Sequence, residues 1–168
     1  MNPKPFKILF LCTGNSARSI LGEYLIQRIG QKRFDAYSAG AHPKKEVNPM
    51  TLRVLREAYH IDASTARSKS WKEFQEVHFD FVITVCDNAK ESCPIWPGQP
   101  IIAHWGSPDP GAFQGSEDET FEFFRKIAFQ IQRRIELLCC LPFEKLDRLR
   151  LEELTHEIGG KEALLSTP

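Results

Sequence analysis

The stretch Ile8-Leu9-Phe10-Leu11-Cys12-Thr13-Gly14-Asn15-Ser16-Ala17-Arg18-Ser19-Ile20-Leu21-Gly22-Glu23-Tyr24-Leu25-Ile26 decides the reading of this chain. Four apolar residues read as a buried strand, the polar segment as a tight loop, and the apolar spacing from Ile20 as a helix running Ser19 to Ile29 and ending at Gly30. A loop between a strand end and a helix start turns several backbone N–H groups toward one point, the geometry that binds an oxyanion. Five residues separate Cys12 from Arg18, so the loop can close with the thiol on its floor and the guanidinium fork on its rim. The N–H groups, the helix dipole and Arg18 should favour the thiolate, making Cys12 a nucleophile aimed at a bound anion. Within the loop, Asn15 is expected to hold an unusual backbone conformation and Ser19 to donate to the Cys12 sulfur.

Outward from this stretch, Asp35 to Gly40 reads as a second strand. Asn48-Pro49 reads as the cap and first residue of a helix running toward His60. Trp71 to Glu76 suggests a short helix, and Phe79 to Val85 a central parallel strand by its near-continuous apolarity. Asp87 to Gly98, with Cys93-Pro94 and Pro97-Gly98, reads as a mobile loop that can hold a helical turn. Ile101-Ile102-Ala103 reads as the last strand, followed by the loop His104 to Gly111. Phe121, Phe124, Ile127, Ile131, Ile135 and Leu138 recur at helical spacing, predicting an amphipathic helix from Thr120 to Leu138 that Leu141-Pro142 ends. One or two short helices are expected after Pro142, with a frayed end past Gly160. Open α/β sheets collect their chemistry at the carboxyl ends of their strands. Cys12, Cys86 and Asp109 all follow predicted strands and should share one rim.

Composition bounds the function. With 22 Lys and Arg against 22 Asp and Glu, the 168-residue chain has no net charge to draw it to nucleic acid or an anionic membrane. Its length suits one domain that buries about 70% of its unfolded surface. The opening Met1-Asn2-Pro3-Lys4-Pro5 lacks the apolar core of a signal peptide, and no apolar run reaches a membrane span, so a cytoplasmic location is expected. Five cysteines, an odd number in a reducing compartment, argue for thiol chemistry over structural disulfides. Neither a C-x2-C pair nor a ligand spacing among His42, His60, His78, His104 and His156 suggests a metal. Cys139-Cys140, at the end of the amphipathic helix, read as packing residues.

On the C-x5-R-S pattern of Cys12, Arg18 and Ser19, the chain resembles the low-molecular-weight tyrosine phosphatases. The addition Cys86-Asp87-Asn88-Ala89-Lys90-Glu91-Ser92-Cys93-Pro94 makes it similar to the thioredoxin-coupled arsenate reductases of that fold. The likeness runs from about Lys7 to Leu138. It implies a three-layer α/β/α fold with a four-stranded parallel sheet over residues 1–141, and a helical extension, residues 142–168, packed on the same domain. It also implies that Thr13, Gly14, Asn15, Ser16, Ala17, Arg18 and Ser19 bind the oxyanion, and that Asp109, in an Asp-Pro pair, is the general acid. A three-step relay follows from the resemblance. Cys12 attacks arsenate while Asp109 protonates the departing hydroxide; Cys86 attacks Cys12 and releases arsenite; Cys93 attacks Cys86 and carries the disulfide to an external reductant. No bound cofactor is expected. Electrons would arrive from NADPH through thioredoxin reductase and thioredoxin, with glutaredoxin the alternative partner, phosphate and sulfate competing anions, and a monomer the working form.

The family's potassium-dependent members use a loop asparagine, a first-helix glutamate, a second-strand serine and a downstream aspartate. Asn15, Glu23 and Ser38 match the first three, while Lys69 stands in the aspartate's place. The resemblance therefore implies no potassium requirement, with the Lys69 ammonium standing in for the ion. The competing reading is a tyrosine phosphatase that uses Cys12, Arg18 and Asp109 and leaves Cys86 and Cys93 idle. Such enzymes usually place tyrosines after the Asp-Pro pair. Here the residues are Gly111-Ala112-Phe113, with Phe113 or Trp105 as the available aromatic walls.

Overall fold

The computed structural model describes residues 3–165. Four strands, β1 (Phe6–Cys12), β2 (Phe34–Gly40), β3 (Phe81–Thr84) and β4 (Ile101–His104), form one parallel sheet in the order β2-β1-β3-β4. Five helices complete a three-layer α/β/α fold: α1 (Arg18–Gly30), α2 (Pro49–Tyr59), α3 (Asp87–Glu91), α4 (Glu117–Cys139) and α5 (Arg148–Leu165). Strand β1 is central, and Ile8, Leu9, Phe10 and Leu11 are all fully buried, which requires cover on both faces of the sheet. The chain turns from β1 to β2 on one side and later to β3 on the other, so the sheet's switch point lies beside Cys12. Register sets the rim: Cys12 pairs with Gly40, Leu11 with Thr84, and Thr84 with His104.

Helices α2 and α4 begin where their capping chemistry predicts. The Asn48 side chain accepts from the Met50 N–H with Pro49 at the first position, and His60 closes α2 in the left-handed conformation at φ 55°. Helix α4 starts earlier than its apolar spacing suggests, because Ser116 and Glu119 form a reciprocal capping box. Its buried stripe, Phe124, Ile127, Ala128, Ile131, Ile135 and Leu138, includes one charged residue, Arg134.

Past the third strand one expectation holds and one gives way. The segment after Cys86 is a short helix with Cys86 as its cap, followed by a loop. Past Pro142 there is one 3-10 turn and then a single long helix that continues through Gly159-Gly160 to Leu165, in place of short helices, and the last three residues of the end expected to fray lie outside the described residues. The 3-10 turn places Phe143 among the rings of Phe6, Phe34 and Phe81, at 4.9–6.1 Å between centroids. Leu151 and Ile158 of α5 join the main core.

Candidate active site

The loop from Thr13 to Ala17 owes its shape to what its carbonyls bind. The carbonyl oxygens of Cys12, Thr13, Gly14 and Ser16 accept from the backbone N–H groups of Ala41, His42, Lys44 and Asn48, at 2.8–3.0 Å. Ser68 Oγ and Thr51 Oγ1 add bonds to the Gly14 and Ser16 carbonyls, each 2.9 Å. In a planar trans peptide the N–H opposes the C=O, so carbonyls drawn outward turn the loop's N–H groups inward. The Asn15 N–H, on the peptide whose carbonyl binds Lys44, accordingly points at Cys12 Sγ, 3.2 Å away. Asn15 holds φ at 46°, a left-handed conformation that asparagine tolerates better than most side chains. Gly40 permits the fold-over, since a Cβ there would lie 2.6 Å from the Thr13 carbonyl oxygen.

The polarity around Cys12 follows from a chain of donors. Asn15 Oδ1 accepts from the Lys69 N–H at 2.9 Å, which orients its amide; Nδ2 then donates to Ser19 Oγ at 2.7 Å. The Ser19 hydroxyl, accepting from Asn15, has its own proton to give to Cys12 Sγ at 2.9 Å. Cys12 is 2% exposed and receives both an N–H and an O–H.

Arg18 stands over the loop with Nη1 donating to the Ser107 carbonyl at 2.9 Å and Nη2 3.8 Å from Asp109 Oδ1. Its side chain is 13% exposed and that of Asp109 49%, so the carboxylate sits at the mouth. There Oδ1 also accepts from the Gly111 N–H at 3.0 Å. A cavity of about 500 Å³ opens between them, lined by Arg18, Cys86, Asp87, Ser107 and Asp109 among others.

Cys86 faces this site. Its Sγ is 3.3 Å from Thr13 Oγ1 and accepts from the Ala89 N–H at 3.4 Å. The Thr13 hydroxyl accepts from Asn88 Nδ2 at 3.1 Å, leaving its proton for the Cys86 sulfur. Cys93 lies two residues beyond the end of α3, half-buried against the core, with Sγ 3.7 Å from the Pro94 carbonyl. Burial pushes its thiol pKa up. Cys86 caps the start of α3 and Cys93 follows its end, so the short helix stands between the two thiols.

Behind the loop, Lys69 Nζ donates to Ser38 Oγ at 3.1 Å, the Arg67 carbonyl at 3.2 Å and Asn15 Oδ1 at 3.4 Å, with Glu23 Oε2 3.8 Å away. Glu23 Oε2 in turn accepts from Ser38 Oγ at 2.6 Å. Burial pushes Glu23 up and Lys69 down, each shift opposed by the other's charge. The ammonium thus occupies the centre of the three matching side chains.

Of the two candidate aromatic walls, one is buried and the other is stacked on a helix. Trp105 is 1% exposed, and its Nε1 donates to the Thr155 carbonyl. Phe113 stacks on Phe123 of α4, with centroids 4.6 Å apart. Cys139 packs half-buried, but Cys140 is exposed, which corrects the reading of both as packing residues. Among the described residues no three His, Cys, Asp or Glu side chains converge where a metal could sit, and no helix is long and apolar enough to cross a membrane.

Sequence reasoning missed several contributors. Ser107, whose carbonyl anchors Arg18, carries no motif. His104, bridging Thr84 Oγ1 at 2.8 Å and Asp87 Oδ1 at 3.0 Å beside Cys86, was visible only as a strand end. Lys44 lays its methylene stem over Gly14, 3.2 Å from where a Cβ would stand.

The family model described as low molecular weight phosphotyrosine protein phosphatase matches residues 7–152. An arsenate reductase from Oceanobacillus iheyensis is 36% identical over 130 residues, 77% of this chain and 92% of the relative. Among solved structures, an arsenate reductase in its phosphate-binding state superposes with a TM-score of 0.68 at 28% identity, covering 80% of this chain and 96% of that one. A low molecular weight protein tyrosine phosphatase from T. tengcongensis gives 0.67 at 26% identity, covering 84% and 99%.

Proposed function

For a chain that belongs to the low molecular weight phosphotyrosine protein phosphatase family, we propose reduction of arsenate to arsenite by a thiol relay through Cys12, Cys86 and Cys93. The observation that carries this reading is the position of Cys86: its sulfur touches the Thr13 hydroxyl of the oxyanion loop and lines the same cavity as Arg18 and Asp109. A phosphatase has no use for a second sulfur there.

Arsenate binds with its oxygens on the inward N–H groups of residues 13–19 and the Arg18 fork, as phosphate or sulfate can in competition. The Cys12 thiolate forms an S–As bond as one arsenate oxygen leaves, protonated by Asp109 to water. Cys86 then attacks Cys12 Sγ. A Cys12–Cys86 disulfide forms, the S–As electron pair stays on arsenic, and arsenite departs, two electrons richer. Cys93 next attacks Cys86 Sγ and frees Cys12 as thiolate. Thioredoxin, reduced from NADPH by its reductase, takes up the resulting Cys86–Cys93 disulfide. The half-buried position of Cys93, where burial pushes its thiol pKa up, supports its acting last in this order.

The burial of Trp105 removes that ring as a wall for phosphotyrosine, which favours a small inorganic substrate. The test is arsenite formation with thioredoxin, thioredoxin reductase and NADPH in wild type, Cys12→Ser, Cys86→Ser and Cys93→Ser. All three substitutions should abolish turnover, while slow hydrolysis of an aryl phosphate should fail only in Cys12→Ser. Arsenite production surviving Cys86→Ser would overturn the relay. Full turnover of Cys93→Ser with glutathione and glutaredoxin would replace the recycling partner.

A further inference from the structure

We infer that α5, acting through Arg134, positions the Arg18 fork, making the carboxyl-terminal helix a working part of the oxyanion site. Arg134 lies in the buried stripe of α4 and is 4% exposed. A guanidinium is taken out of water only where its protons find fixed acceptors. Nη1 donates to the Gly106 carbonyl at 2.9 Å, with Ser107 Oγ at 3.5 Å, and Nη2 donates to the Gly159 carbonyl at 3.2 Å. One planar group thus ties the loop after β4 to α5.

The same loop carries the anchor of the catalytic arginine. The Ser107 carbonyl accepts from Arg18 Nη1 at 2.9 Å, and Asp109, two residues on, faces Arg18 Nη2. Ser107 is therefore gripped by Arg134 on one side and grips Arg18 on the other. Two further contacts lock α5 at this place. The Trp105 Nε1–H donates to the Thr155 carbonyl at 3.0 Å inside the core. A Cβ at Gly159 would overlap the His104 carbonyl, so the helix backbone lies directly against the end of β4. Glycine inside a helix is destabilising, and its presence here is accounted for by that close approach. Thr155 and Gly159 both lie past residue 152, where the family match ends. The contacts order the site from the one helix that lies mostly outside that match.

The inference rests on the oxyanion cradle of the proposed function but not on its redox chemistry, so the test reads anion binding alone. Protection of Cys12 from iodoacetamide by inorganic phosphate yields a Kd in the full chain. Arg134→Met should weaken phosphate binding about tenfold and be largely rescued in Arg134→Lys, which restores a donor. Gly159→Ala, which pushes α5 off β4, should shift Kd in the same direction. Where Arg134→Met does not fold, Trp105→Phe, which removes the bond to the Thr155 carbonyl together with part of the ring packing on Phe10, takes its place with Kd read beside Tm. A merely structural role would lower Tm while leaving Kd of the folded protein unchanged, and that result in the folded variants overturns the proposal. Wild-type Cys12 left unprotected by phosphate would overturn the clamp and the cradle together. Wild type that binds phosphate yet forms no arsenite refutes the reductase reading and leaves the clamp to be judged by its Kd shifts.

Discussion

Replacing Lys69 by methionine removes the ammonium from the back of the oxyanion loop, and its cost can be worked from the contacts. Nζ donates to Ser38 Oγ, the Arg67 carbonyl and Asn15 Oδ1 and stands 3.8 Å from Glu23, with side-chain exposures of 8% for Lys69 and 15% for Glu23. Methionine leaves the Glu23 carboxylate buried without its cation. Removing one partner of such a pair costs about 3–5 kcal/mol. For a chain of this size that lowers Tm by roughly 6–20 °C. Calorimetry in sodium and in potassium at equal ionic strength is the assay. Wild type should melt identically in both, since Lys69 fills the position a cation would take. Lys69→Met should melt lower, and Lys69→Met combined with Glu23→Gln should recover most of the loss by removing the stranded charge. Lys69→Asp, which completes an oxygen-donor set with Asn15, Glu23 and Ser38, should gain stability in potassium over sodium. The Lys69 backbone N–H that orients Asn15, and through it Ser19 and Cys12, survives in Lys69→Met, so alkylation of Cys12 should change little. A rise of several degrees for wild type in potassium would refute the reasoning, as would a loss below about 1 kcal/mol in Lys69→Met, the range of an exposed pair.

Asp109→Asn keeps the bond from the Gly111 N–H but cannot deliver a proton, so the first step, followed as arsenate-dependent loss of free Cys12 thiol, should slow about 100-fold or more near neutral pH; an unchanged rate would exclude Asp109 as the acid. Cys93, its thiolate disfavoured by burial, should label with iodoacetamide at a midpoint above the ordinary cysteine value in a chain whose other four cysteines are serine. Because folding then favours the protonated thiol, this group's contribution to stability is present below the unfolded pKa and lost as pH rises through the folded one. A labelling midpoint at or below the ordinary value would contradict the half-buried resting position. Gly40→Ala sets a methyl 2.6 Å from the Thr13 carbonyl and should lower both Tm and phosphate affinity; a variant that matches wild type in both would mean the loop is not held by that close approach.

Local chemistry made much of this protein legible without coordinates. The strand, loop and helix around Cys12–Ser19 form one unbroken stretch from Phe6 to Gly30, and each piece declares itself by apolar spacing or small polar residues. The Asn48-Pro49 start of α2 and the long stripe of α4 are equally local. The true start of α4 was also written in Ser116 and Glu119, since a capping box acts within one turn and precedes the first apolar residue of the stripe.

What tertiary structure alone decided is the meeting of residues far apart in the chain. Thr13 and Cys86, 73 positions apart, touch because the pairing of Leu11 with Thr84 sets the ends of β1 and β3 level. Arg18 reaches Ser107 across 89 positions, and Arg134 reaches Gly159 and Gly106 from within a stripe whose period marks it only as an intruder. Side-chain periodicity reports which face is buried, never which distant backbone carbonyl will meet a buried guanidinium. That choice belongs to sheet register and helix docking, where the whole core is balanced at once.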